Sequence, residues 1–247
     1  MKTFCTCNRK GGIGKTMTAY NLGAALIRKG YKVLFVDADS QANLTSYAGA
    51  KQGGLFEVLT GAADAKEVLQ HGKHGEGILA GSEELAALEL QKPAPASLRD
   101  ALKKISRSFD FCIIDCPAQL GKITLLAMTA SDALIIPAGN GCEDELQGVG
   151  KVLRPYYSVI ENYNSKLTVA GVLVSDYDTR SKSLSRDMET NARNLCSAVG
   201  INCFKTVIRH RAALAKARLT KQSIFEYDPT DPAAEDFDNL AAELLSE

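Results

Sequence analysis

The chain has 247 residues, 45% of them hydrophobic, enough for one well-buried α/β domain over 1–247, and no Pro- or Ser-rich linker divides it. Its 29 Lys and Arg balance 29 Asp and Glu, so net charge names no partner, and no apolar run is long enough to span a bilayer. Seven cysteines (5, 7, 112, 116, 142, 196 and 203) with no C-x-x-C pair fit small buried hydrophobes in a reducing cytoplasm, and the opening MKTFCTC does not read as a signal peptide.

In chain order, short β-branched apolar runs alternate with helical patterns, which predicts βαβ units and a mostly parallel sheet with helices on both faces. Strands are expected over residues 3–8, 32–37, 111–115, 133–137 and 168–175. Helices are expected over residues 15–28, 96–107, 120–130, 144–161, 183–199 and 233–245. The stretch 49–95 is Gly- and Ala-rich and is placed only loosely. Cys5 and Cys7 alternate with Thr6 and should share one face of the first strand. Loops leaving the C-terminal ends of such strands gather along one edge of the sheet, where ligands bind.

The first of those loops reads NRKGGIGKT from Asn8 to Thr16. It fits G-x-x-x-x-G-K-[ST] at Gly14, Lys15 and Thr16 but has Arg9 where the pattern has its first glycine. Gly11, Gly12 and Gly14 let backbone N–H groups converge on phosphate oxygens, and the following helix adds its positive N-terminal end. Lys15 would reach the β- and γ-phosphates, and the Thr16 hydroxyl would bind Mg²⁺. Lys10 is a second lysine, five positions before Lys15, that one nucleotide does not need. Further on, VLFVDADSQANLT places Asp37 and Asp39 at the same sheet edge, on one side of the chain, able to face the metal and the attacking water. FDFCIIDCPAQLG ends a buried strand in Asp115, the form of an aspartate that holds Mg²⁺ through water.

The stretch KGGIGKT resembles the deviant Walker A motif of the ParA/MinD/NifH group of P-loop ATPases. The resemblance implies a three-layer P-loop NTPase fold, with ATP and Mg²⁺ held by residues 10–17 (Lys10, Gly11, Gly12, Ile13, Gly14, Lys15, Thr16 and Met17). It also implies a nucleotide-sandwich homodimer in which Lys10 crosses to the partner's phosphates, a contact in trans worth on the order of 10³ or more in rate. DADSQANLT resembles the family's D-x-D-P-Q-x-N-x-T, which makes Asp39 the water-positioning residue and Asp37 part of the Mg²⁺ shell. Ser40 stands where the family has proline, and DCPAQLG departs from D-x-P-P-S-L-G at Ala118 and Gln119. SDALIIPAGNG, GVLVSDYDTRSKSLSRD and TVIRHRAALAKARLTKQSIFEYDP bring the chain closest to small ParA/Soj-type partition ATPases. Larger relatives carry an N-terminal helix-turn-helix domain, which is not expected before Thr3.

Charge is uneven along the chain. Residues 180–221 carry ten Lys and Arg against Asp187 and Glu189, a net of +8, whereas 222–247 hold eight acidic residues and no basic one. With the resemblance, this segment implies binding of non-specific DNA through Arg209, Arg211, Lys216, Arg218 and Lys221, with Arg180 and Arg186 next. The implied activity is slow ATP hydrolysis stimulated by a ParB-like partner, positioning a DNA cargo on the nucleoid. Three rivals stand beside it. A membrane-cycling ATPase resembling MinD would need a basic amphipathic C-terminus, and EDFDNLAAELLSE is acidic. A reductase resembling the nitrogenase iron protein would need two cluster cysteines, for which Cys116 and the distant Cys142 are the candidates. A nucleotide-dependent interaction switch with little hydrolysis is the third.

Overall fold

The computed structural model describes residues 1–91, 93–139 and 143–246. Cys142, the distant cluster candidate, lies outside the described residues, as do Asn140 and Gly141 of SDALIIPAGNG and the terminal Glu247. The chain runs β1 (Lys2–Thr6), α1 (Lys15–Arg28), β2 (Val33–Asp37), α2 (Asn43–Ala48), α3 (Leu55–Thr60), α4 (Ala65–Val68), β3 (Gln70–His71), β4 (Gly77–Leu79), a 3₁₀ turn (Glu83–Glu89) and α5 (Ser97–Ile105). It continues through β5 (Phe111–Asp115), α6 (Lys122–Ala130), β6 (Ala133–Pro137), α7 (Glu143–Asn162), β7 (Thr168–Leu173), α8 (Lys182–Val199), α9 (Ala212–Leu219), α10 (Ile224–Tyr227) and α11 (Pro232–Leu245).

The seven strands form one sheet in the order β3-β4-β2-β5-β1-β6-β7. All its pairings are parallel except the short edge pair of β3 with β4. The central strands are buried on both faces, as a doubly covered parallel sheet requires. Period-two alternation sends Cys5, Cys7, Leu34, Val36, Cys112 and Ile114 to one face, beneath α5, α6 and α7. Phe4, Val33, Phe35 and Ile113 go to the other, beneath α1 and α11. Cys5 and Cys7 share a face, as expected.

The helices and strands expected from periodicity are present, with shifts of one or two residues at their ends. The strands expected over 3–8 and 168–175 end early, at Thr6 and Leu173, because the chain there leaves the ladder to form the site loops. The loosely placed stretch 49–95 folds into α3, α4, the β3–β4 pair and the 3₁₀ turn. None of these pieces is long enough to display a period of 3.6 or 2.

α1 approaches the sheet at Gly23, where a Cβ would overlap the fully buried Phe35 ring. Helix propensity alone predicts that Gly23→Ala stabilises by up to about 1 kcal/mol. Overpacking against a ring with nowhere to go costs more, so Gly23→Ala is expected to lower stability by about 1–3 kcal/mol in urea unfolding.

Candidate nucleotide-binding site

The loop from β1 to α1 is held near its start by Asn8. Asn8 is fully buried, donates from Nδ2 to the Pro137 carbonyl at 2.7 Å, and accepts the Lys10 N–H on Oδ1 at 3.2 Å. Gly12 and Gly14 adopt φ of +78° and +89°, which L side chains rarely take, so the loop can curl without a Cβ in its mouth. No side chain caps the start of α1, and its first N–H groups remain for a ligand. The Lys15 side chain is buried and folds back over the loop, with Nζ 3.1 Å from the Lys10 carbonyl. These residues open on a cleft of about 260 Å³, lined by Gly11, Gly12, Gly14, Lys15, Thr16 and Met17 on one side and by Asp39, Asn43, Tyr47, Ala118 and Arg218 on the other. Ile13 is buried and lines a neighbouring cleft instead, its carbonyl accepting the Ser175 hydroxyl at 3.4 Å.

Strand register brings the acids to the cleft. Asp115 lies opposite Thr6 in the β1–β5 pairing and opposite Asp37 in the β2–β5 pairing, so the three stand side by side at the C-terminal edge. Asp37 is fully buried. Its Oδ2 accepts the Thr45 N–H and the Thr45 hydroxyl, both at 2.7 Å. Burial pushes its carboxyl up to about 6, opposed by the two Thr45 bonds and the Asp39 N–H. Asp115 receives the Thr6 hydroxyl on Oδ1 at 3.2 Å, whereas its buried Oδ2 has no hydrogen-bond partner. Burial first, then the charge of Asp37, push Asp115 up to about 8, with the Thr16 hydroxyl and Lys15 pulling the other way. Asp39 is half-exposed and accepts the Gln41 N–H on Oδ1 at 3.0 Å, closing the turn around Ser40 where the family has proline.

Two acids held above their ordinary range and one orphaned buried oxygen are what a divalent cation would relieve. Among the described residues no three His, Cys, Asp or Glu side chains converge as a metal cage. The donor set therefore fits an ion held by the Thr16 hydroxyl, nucleotide oxygens and water, with the carboxylates around it.

A second cleft of about 270 Å³ continues from Gly12, Gly14 and Met17 past Asp176, Ile208, His210 and Leu214. Arg209 and Arg211 line it as well, each paired with acids from further along the chain. Arg209 is held by Asp236, Glu235 and the Pro232 carbonyl, and Arg211 by Asp231. The acids belong to the start of α11, so the acidic tail folds back onto part of the basic segment. Arg180 pairs with Asp178 through two bonds of 2.9 and 3.0 Å while staying exposed. Arg218 reaches both clefts, and Arg186, Lys216 and Lys221 point to solvent. Cys116 is buried with its Sγ 3.2 Å from that of Cys5, away from any surface where two copies could share a cluster.

Thr6, Tyr47 and Gly81 hold the site from outside its motifs and carry no signal of that in the sequence, and Asn8, although it opens the quoted loop, shows its role only through its bond to Pro137. Thr45 had a signal, the last position of DADSQANLT, but its bonds to Asp37 appear only in three dimensions.

The chain matches the family described as an AAA domain over residues 1–169. The chromosome-partitioning ATPase Soj of Thermus thermophilus is 34% identical over 249 residues, covering 100% of this chain and 96% of that protein. The sporulation initiation inhibitor protein Soj of Bacillus subtilis is 32% identical, covering 99% and 98%. A crystal structure of cobyrinic acid a,c-diamide synthase from Mycobacterium smegmatis with bound ADP and magnesium has a TM-score of 0.83 at 29% identity, covering 99% of this chain and 94% of that one. A glycine loop carrying two lysines, a sheet that aligns its acids beside it, and identity along the whole length all agree: the chain belongs to the Soj/ParA family of P-loop partition ATPases.

Proposed function

We propose that this chain is an ATP-driven partition switch built as one domain. ATP and Mg²⁺ close two copies into a sandwich, the dimer binds non-specific DNA on the nucleoid in the cytoplasm, and a ParB-like partner on the cargo stimulates hydrolysis and release. The observation that carries this reading is the orphaned Asp115 oxygen beside Asp37, directly behind a loop with two lysines. Lys15 and the backbone of 11–17 would hold the phosphates of the chain's own nucleotide, and Thr16, Asp37, Asp39 and Asp115 would hold the ion. Mg²⁺, when bound, neutralises charge on the β- and γ-phosphates. Asp39, at the open cleft, would orient the attacking water, and Lys10 would serve the partner's nucleotide.

The three-dimensional arrangement favours some basic residues over others for DNA. Lys216, Lys221 and Arg186 are exposed and become the first candidates, with Arg180 beside them and Arg218 at the cleft rim. Arg209, mostly covered by Asp236, Glu235 and the Pro232 carbonyl, serves mainly to fix the wall of the second cleft, whereas Arg211 pairs with Asp231 but stays exposed and remains a candidate beside Arg180. No observation favours the membrane reading. The apolar face of α11, including Phe237, Leu240 and Leu244, is buried in the core it forms with α1, and no described helix is long and apolar enough to cross a membrane.

The direct test is binding to a random-sequence duplex with ATP, ADP or no nucleotide at two salt concentrations, beside anionic liposomes. ATP-dependent, salt-sensitive DNA binding is expected. Replacing Lys216 and Lys221 with Glu should weaken it and flatten the log–log salt slope by about 0.9 for each phosphate that is no longer neutralised. Liposome binding alone would overturn the DNA reading.

Lys15→Ala is expected to abolish binding of a fluorescent ATP analogue, whereas Lys10→Ala keeps it but loses dimerisation in light scattering and ATP turnover. Asp39→Ala should bind ATP and remain a dimer without turnover. A Lys10→Ala variant that dimerises and turns over like wild type would remove the lysine in trans.

The raised acids also make a stability prediction. In EDTA and without nucleotide, the folded state holds its Asp115 proton up to about 8 and its Asp37 proton up to about 6, while the unfolded chain releases both near 3.8. Folded protein therefore binds more protons between those limits, and its stability falls as pH rises from about 4 to about 8. Asp115→Asn should flatten this fall, exceeding wild type at pH 8 by about 1 kcal/mol or more in urea unfolding.

A further inference from the structure

The segment joining β4 to α5 touches both acidic loops. At its start, the Gly81 N–H donates to Thr45 Oγ1 at 2.9 Å, the same hydroxyl that donates to Asp37. A Cβ on Gly81 would lie 2.7 Å from the Asp37 carbonyl oxygen and 3.0 Å from that of Asp39, so the chain passes as close to that loop as a backbone can. The 3₁₀ turn that follows buries Leu85 and Leu88 completely.

At the end of this turn, Glu89 closes on the start of α6. Its carboxylate accepts the N–H groups of Lys122 at 2.9 Å and Ile123 at 3.4 Å. In return, Lys122 Nζ donates to the main-chain carbonyls of Glu89 and Gln91. Gly121 is pressed against the Glu89 carboxylate, where a Cβ would overlap it, and supplies no cap of its own. The clasp is thus reciprocal, side chain to backbone in both directions, and sits where the loop 116–121 from Asp115 enters α6. An acid at a helix N-terminus also meets the positive end of the helix dipole.

We propose that residues 81–89 form a strap coupling the Asp37 loop to the Asp115 loop, and that Glu89 is a positioning residue for ATP hydrolysis. The strap is pinned at one end through Thr45 to Asp37 and at the other through Glu89 to the residues following Asp115. Its two buried leucines keep it from absorbing a displacement locally. Movement of either loop is therefore carried to the other, which keeps the two buried acids in step. The turnover part of this proposal rests on the ATPase reading; the mechanical coupling does not.

The test is Glu89→Gln in the full chain, which keeps the size but removes the charge and sets an amide donor against one of the two N–H groups. Backbone hydrogen exchange is measured without nucleotide, and ATP turnover and ATP affinity separately. Exchange is expected to rise at 122–125 and also at Thr45 and Gly81. The turnover number should fall about tenfold or more with Kd for ATP held within about twofold, as loss of alignment predicts. Lys122→Met, which opens the other half of the clasp, should give the same pattern. Faster exchange confined to 122–125 in both variants would reduce Glu89 to a local helix cap and overturn the coupling. Unchanged turnover in a folded variant of an active protein would overturn the positioning role. Absence of turnover in the wild type would instead count against the ATPase reading, and exchange at Thr45 and Gly81 would still decide whether the strap couples.

Discussion

The parallel register that sets Asp37 beside Asp115, with Thr6 on the far side, is the constraint around which this molecule is arranged. Burial disfavours the charged form of carboxyls in these adjacent strand positions, and their mutual repulsion adds to the cost. Such a pair is tolerable only at the C-terminal edge of the sheet. There Thr45 and Thr6 can donate to them, Lys15 lies nearby, and the open start of α1 points its N–H groups the same way. The glycines serve this edge too: those of the first loop clear the mouth, and Gly81 lets a neighbouring strand end pass against the backbone of the acids.

What could be read from the sequence follows the range of the interactions. The long helices and central strands were legible because a period repeated over nine or more helical residues, or an unbroken apolar run, leaves a mark in a single chain. The pieces between residues 49 and 95 are too short for that, and β4, only three residues long, is a strand because β2 offers it an edge. The phosphate loop was legible for the same reason as the helices, since its chemistry lies within nine consecutive residues. The bonds that hold the site in place join distant parts of the chain: Asn8 to Pro137, Thr6 to Asp115, Gly81 to Thr45. Only the sheet order, which no local pattern encodes, brings those pairs together.

The basic segment shows the same limit in electrostatic form. Counting charges along 180–221 treats each arginine as a free cation, yet Arg209 and Arg211 meet acids at least twenty positions later. Their role in the fold and their place in a charge count are different properties. Lys216 and Lys221, which look alike in the sequence, keep their charge available to solvent because α9 holds them on its outer face and beyond its end. The cysteines behave as composition implied: those described are buried or half-buried, and Cys5 and Cys116 fill space beneath the acidic edge.

The pairing of Arg209 and Arg211 with the start of α11 bears on how the protein is made. Synthesis delivers the phosphate loop more than 200 residues before Asp231, Glu235 and Asp236. A nascent chain that has emerged only as far as α9 has its glycine loop and its acids, but the second cleft still lacks Phe237 and the carboxylates that fix its arginines. The complete wall of the second cleft therefore comes into being only once α11 has been made and has docked, so its arginines are fixed late in synthesis.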